Sequence, residues 1–249
     1  MKFVYFLFAL LFSNIVIGQI TDTIYSGNTK QLQFNWKQLI IPTIFIGYGA
    51  AGIESEKIKG YDANINEEFT ENIDTQFSID DFLVFVPAVS AYALNLAGVE
   101  GNNNFRDRTI ILSTAFLITS GTVLTLKSVT NVQRPDGSSY DSFPSGHTAI
   151  AFMGAEFLWQ EYKDVSIAYG ISGYIVAAGT GFFRMYNNRH WFTDVVTGAG
   201  IGILSTKIAY WIYPIVNSKL FKSEKSTGMN FLTPIITNKN YGLSFIKQF

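Results

Sequence analysis

The chain has 249 residues, which suits one domain of ordinary size or one helical membrane bundle. Apolar residues make up 48% and charged residues only 15%, against roughly 25% charged in an average soluble protein, so the composition leans toward a membrane. A net charge of −1 excludes a broad basic surface for nucleic acid, and the lack of cysteine excludes disulfides, thiolate metal sites and a cysteine nucleophile.

Met1-Lys2, the apolar run Phe3 to Phe12 and the small residue Gly18 before Gln19 read as a secretory signal peptide over 1–18. The run is short for an uncleaved anchor. Residues 19–81 form an N-terminal segment that begins polar and reaches Trp36-Lys37, an interfacial pair. Within it, 39–53 (LIIPTIFIGYGAAGI) predicts a short apolar helix, below the roughly 20 residues that span a bilayer. Residues 54–81 are acidic on balance and predict a solvated connection with one short helix.

The core is expected over 82–216, as the apolar runs Phe82–Val99, Thr109–Leu126, Thr148–Trp159, Val165–Phe183 and Val195–Val216. Each exceeds ten residues without strict alternation, which favours helices over strands. Pro87 interrupts the first run, Glu156 is the charge inside the third and Lys207 the charge inside the last. Gly47/Gly49/Gly52 and Gly198-x3-Gly202 are patterns that let helices approach closely. The predicted fold is therefore all-α, a bundle of about six helices embedded in the membrane. The tail, 217–249, carries Lys219, Lys222 and Lys225, and its last residues alternate like a barrel strand. One strand makes no barrel, so this segment reads as an appendage to the helical core.

Three polar clusters lie at the edges of these runs. The first is Lys127-x6-Arg134-Pro135. Two helical turns put both cations on one face where the helix continues, although Pro135 disfavours helix at Arg134. Arginine as a planar fork and lysine as a point charge suit phosphate oxygens; alone, the pair also fits two side chains snorkelling at a membrane edge. The second cluster is Pro144-Ser145-Gly146-His147, opening an apolar run. Free N–H groups at a helix start favour an anion, Gly146 lets backbone come close, and Ser145 offers a hydroxyl. His147 there is placed to deliver a proton to a leaving group; alone, the cluster also fits a capped helix start. The third is Arg184-x5-His190-x3-Asp194. An aspartate four residues after a histidine shares its helix face and fixes one imidazole nitrogen, leaving the other basic; alone, this also fits a surface pair. Arg184 lies across a polar turn, in reach of the same phosphate. The chain has two histidines, and each lies in one of these clusters. The conjunction outweighs the ordinary structural reading of each cluster.

Together, KSVTNVQRP, PSGH and FRMYNNRHWFTD resemble the type 2 phosphatidic acid phosphatase superfamily, in residue type, spacing and order. Phe183 stands where that family usually has serine. The resemblance implies that His190 attacks phosphorus to form a phosphohistidine, with Asp194 orienting it. It implies that His147 protonates the leaving oxygen and later activates water. Lys127, Arg134 and Arg184, with Ser145 and the Gly146 backbone, would hold the phosphoryl oxygens. It implies no metal and no cofactor; Asp136 and Asp141 offer only a weak magnesium site.

The expected activity is a metal-independent phosphatase acting on a membrane lipid phosphate or pyrophosphate. The expected place is a bacterial inner membrane with a periplasmic active site. Arg106/Arg108, Lys163 and the lysine-rich tail would face the cytoplasm and the acidic 54–81 segment would face out. A cleaved signal peptide starts the mature chain outside, so this topology requires that 39–53 does not span fully. The rival readings are a soluble periplasmic acid phosphatase on small phosphomonoesters, a vanadate-dependent haloperoxidase, and a non-catalytic membrane packing protein.

Overall fold

The computed structural model describes residues 32–71, 78–221, 230–237 and 240–247, the last two spans as backbone only. The signal peptide expected over 1–18 lies outside these residues. After a 3-10 turn at Trp36–Leu39 come α1 (Ile40–Glu54), α2 (Glu56–Thr70), the one-turn α3 (Asp80–Leu83) and α4 (Val86–Leu96). The long helices follow: α5 (Phe105–Thr130), α6 (Gly146–Tyr162), α7 (Ile167–Tyr186) and α8 (Phe192–Leu220).

The helices start and stop where local chemistry directs. The Asn104 side chain accepts from Asp107 N at 2.9 Å to cap α5, and Asn131 closes it in the left-handed conformation at φ 48°. Pro87 falls at the start of α4, where its missing N–H costs nothing. The apolar run Phe82–Val99, interrupted by Pro87, is accordingly two pieces, α3 and α4. The 54–81 segment is also more than a solvated connection. Its helix α2 packs on α7 and α8, and it buries Asp62, while Asp80 is buried in α3.

Helices α6 and α8 form the centre, with α5, α7 and α4 around α6 and α1 against α8. Glycines set the spacing. A methyl at Gly198 would lie 2.5 Å from the Ser145 carbonyl oxygen, and one at Gly202 would collide with the Ala149 carbonyl. Gly49 and Gly52 likewise admit Thr197 and Thr193 of α8, whereas Gly47 has open space around it. The main core gathers Ala91, Ile111, Ala115, Phe157, Tyr162 and Ala209 between α4, α5, α6 and α8.

Two helices among the described residues, α5 and α8, are long and apolar enough to cross a membrane. On α5, Ile111, Ala115, Thr119 and Val123 are buried at intervals of four, while Phe116, Leu117 and Leu124 point outward. Ile167, Ile171 and Ile175 repeat that outward pattern on α7. The helical bundle carries one addition. In the tail, β1 (Asn230–Thr237) and β2 (Asn240–Lys247) pair antiparallel from Asn230↔Lys247 to Thr237↔Asn240. The alternation read in the last residues thus belongs to a two-stranded hairpin.

The charges isolated inside apolar runs find one another. Lys207 Nζ of α8 meets Glu156 Oε1 of α6 at 2.5 Å, with Glu156 buried and Lys207 mostly so. Arg108 is wholly buried and bonded through Nε to Glu161 Oε2 at 3.1 Å. Asn103 and Tyr210 complete the Glu161 carboxylate. Removing one partner strands the other, so Glu156→Ala should lower stability by about 3–5 kcal/mol. Replacing both Glu156 and Lys207 by apolar residues should recover most of that loss, as read by unfolding in detergent.

Candidate active site

The three clusters occupy the ends of α5, α6, α7 and α8 that face one another. The first cluster differs from a continuous helical face. Helix α5 ends at Thr130, so Lys127 lies on its last turn and Arg134 on the loop beyond. Both converge on Asp141 all the same. Arg134 donates from Nε at 2.9 Å and Nη2 at 3.2 Å to the two carboxylate oxygens. Lys127 Nζ donates to the Asp141 carbonyl, and Ser139 Oγ to the Asp141 carboxylate. The Ser139 hydroxyl first, with Arg134 and Lys127, holds this carboxyl down at about 2 against the pull of burial.

Asp136 pairs with Arg189 Nη1 at 3.1 Å. Its burial works to raise it, but Ser138 and the nearby arginines hold it below the ordinary carboxylate range. The two aspartates weighed for magnesium are thus each taken by an arginine. Among the described residues no group of three or more His, Cys, Asp or Glu is arranged to hold a metal ion.

Ser145 is the N-cap of α6, its Oγ accepting from Thr148 N at 3.4 Å and exchanging a hydrogen bond with Thr148 Oγ1 at 2.9 Å. Gly146 is the first helical residue, and a methyl built there would have only ordinary contact, 3.6 Å, with Val123. His147 follows, its side chain partly exposed.

The third cluster also departs from a shared helix face. Helix α8 starts at Phe192 with Trp191 as N-cap, so His190 lies before the helix and Asp194 in its first turn. The pairing is made nonetheless: Asp194 Oδ2 accepts from Trp191 N at 2.9 Å and lies 3.5 Å from His190 Nδ1. Ser142 donates to the same oxygen and lies 3.5 Å from Nδ1. His190 Nε2 is then the nitrogen left for chemistry. Burial first, then the charges of Arg184 and Lys127, press His190 down to about 4, with Asp194 pulling the other way. Near neutral pH the ring is an uncharged base.

Arg184 ends α7 and ties the clusters together, since its charge acts on His147, His190 and Lys127. Its Nη1 donates to buried Asp80 at 2.6 Å, while its Nε is buried with no protein partner. Phe183, in the serine position, turns instead to Phe182 and Tyr186, with ring centroids at 5.7 Å and 6.2 Å. Phe182 in turn meets Phe69 of α2 at 5.3 Å.

The carboxylates of the N-terminal segment were invisible as site residues in the sequence. Asp80 grips Arg184 and Asn187, and Asp81 Oδ1 lies 3.1 Å from His147 Nε2. Asp62 accepts from both N and Oγ1 of Thr193, in the first turn of α8. Burial raises Asp62, its two bonds to Thr193 oppose that, and the Asp194 charge adds to it. A cavity of about 190 Å³ opens behind this turn, lined in part by Asp62, Asp194, Trp191 and Phe143. A run of acidic residues gave no spacing from which these partners could be read.

Residues 108–218, which hold all three clusters, match the model of the PAP2 superfamily. Over that stretch the chain is similar to the PAP2 superfamily. A lipid A 1-phosphatase of Porphyromonas gingivalis is 33% identical over 189 residues, which cover 72% of this chain and 42% of that protein. The chain therefore spans less than half the length of this curated relative. Two solved structures share a looser likeness. A transmembrane PAP2 type phosphatidylglycerolphosphate phosphatase from Bacillus subtilis has a TM-score of 0.44 at 21% identity, over 76% of this chain and all (100%) of that one. Aquifex aeolicus LpxE has a TM-score of 0.41 at 20% identity, over 68% of this chain and 94% of that one.

The low value of His190 sets a pH dependence of stability in the helical core. In the unfolded chain the ring titrates near 6.5 and in the folded chain near 4, so acid gives the unfolded state its proton first. This contribution is fully present above pH 6.5 and is lost as pH falls toward 4. Melting temperatures measured at pH 7 and pH 5 should differ less for His190→Gln than for the native chain.

Proposed function

We propose that this protein is a membrane phosphatase that removes phosphate from a lipid through a phosphohistidine on His190. The observation that carries the reading is a buried, uncharged histidine oriented by a carboxylate, with Lys127 and Arg184 in electrostatic reach of its ring. His190 Nε2 attacks phosphorus as the bond to the leaving oxygen breaks, and His147 gives that oxygen its proton. In the second half His147 takes a proton from water and the water oxygen attacks phosphorus. The P–N bond then breaks and its electron pair returns to His190. Lys127, Arg134 and Arg184, the Ser145 hydroxyl and the N–H groups opening α6 stabilise the charge on the phosphoryl oxygens.

The outward apolar faces of α5 and α7 favour a lipid environment over a soluble enzyme. So do the large exposed side chains beside the site: Phe82 and Ile79 flank the Asp80-Asp81 turn, and Tyr140 precedes Asp141. We place the site on the periplasmic side of the inner membrane, with α5 and α8 crossing it. The relative's name directs the choice of substrate to lipid A 1-phosphate first, with other lipid phosphates and pyrophosphates as comparisons.

The test is phosphate release by the purified protein in detergent and EDTA, from a lipid phosphate and a soluble phosphomonoester in parallel. Lipid-preferring release that survives EDTA and vanishes in His190→Ala is expected. Preference for the soluble ester would replace the lipid assignment by an acid phosphatase. Gly146→Ala gives a sharper check. The protein has room for the methyl, so the melting temperature should hold within a few degrees, whereas turnover should fall at least about tenfold because the methyl takes the phosphate's place.

A further inference from the structure

We propose that Asp81 is the positioning residue of His147, holding its ring by Nε2 so that the histidine serves as general acid and then general base. The inference rests on the phosphatase reading above and adds to it a residue that none of the three clusters contains. The two histidines are held in complementary ways. Asp194 and Ser142 approach His190 at Nδ1 and leave Nε2. Asp81 Oδ1 lies 3.1 Å from His147 Nε2 and leaves Nδ1 to exchange a proton with the leaving oxygen.

The turn that carries Asp81 is fixed by its neighbour. Asp80 is buried, with a side chain 2% exposed, and receives Arg184 Nη1 at 2.6 Å and Asn187 Nδ2 at 3.1 Å. That double bond to the end of α7 sets α3 beside the start of α6. Asp81, the next residue, therefore meets His147 and lies 3.9 Å from Arg184. Burial first, and then the Arg184 charge from α7, hold His147 below its ordinary value, while Asp81 and Asp80 from α3 pull it back up. Without Asp81 the balance tips toward the arginine, and the proton needed by the leaving oxygen is held less firmly.

A general acid matters most when the leaving group is poor. In the first half-reaction the P–O bond breaks, its electrons pass to the leaving oxygen, and that oxygen takes the His147 proton. An alkyl alkoxide requires this proton; p-nitrophenolate leaves largely unaided.

The experiment compares the full chain in detergent with Asp81→Asn, Asp81→Ser and Asp81→Glu. The substrates are a long-chain alkyl phosphate and p-nitrophenyl phosphate, each assayed across pH. For Asn and Ser, kcat/KM on the alkyl ester should fall about tenfold to a hundredfold, and on p-nitrophenyl phosphate less than about threefold. The basic limb on the alkyl ester should move to lower pH, and Asp81→Glu should retain most activity. Equal losses on both substrates, no loss, or an unmoved limb would overturn the assignment. Because the Asp81 side chain is 57% exposed, both variants should fold, and their agreement guards against a defect peculiar to one. A native chain inactive on both substrates would instead sink the phosphatase reading itself.

Discussion

The site depends on the close approach of α6 and α8. Gly198 brings the backbone of α8 against the Ser145 carbonyl, and Ser145 N donates to the Asp194 carbonyl at 3.0 Å. The residues that open the two helices are thus joined directly, backbone to backbone. Any side chain at Gly198 or Gly202 would push the helices apart, and Ser145, Gly146 and His147 at the start of α6 would separate from His190 before α8. The small residues therefore set the geometry of the proposed site, although none of them belongs to its polar clusters. Dispersion and close backbone approach, more than water-driven burial, hold such a contact where the surroundings are themselves apolar.

The polar pairs of the interior obey a related constraint. Glu156 with Lys207, and Arg108 with Glu161, join helices that share few other polar contacts. A mismatched register between α6 and either neighbour would leave a buried charge alone, at a cost of several kcal/mol. These pairs lie on α6 well beyond the His147 end. They fix the rotation of the helix about its axis, as the glycines fix its distance from α8.

Much of this was legible in the sequence because it is written in short-range spacing. Runs of apolar residues gave the helices, and the three clusters announced themselves by residue type and interval. Other features were not legible. His190 lies just outside a helix, because Trp191 starts α8, a boundary shift of a few residues that propensity does not resolve, whereas the end of α5 before Arg134 was signalled by Pro135. Asp62, Asp80 and Asp81 find their partners more than 60 residues away, as with His147 at a separation of 66. An acidic segment reads as solvated until the fold supplies a cation, a helix start or a ring for each carboxylate. The burial of Arg108 was not legible for the same reason, since its partner Glu161 is 53 positions distant.

Helix α5 buries a stripe of one side chain in four, flanked by partly buried Ile110, Leu112 and Leu126, and exposes much of its opposite face. The two sets of positions carry different information through evolution. Outward positions such as Phe116, Leu117 and Leu124 are answerable to hydropathy alone and are free to exchange shape for shape. Inward positions such as Ala115 and Thr119 are answerable to size, because α6 and α8 pack against this helix. Among homologues of this chain, variation on α5 should follow the turn of the helix: broad but uniformly apolar on one side, narrow in volume on the other. The lining of the site would then be carried on a helix whose outer coat changes with the membrane it lives in.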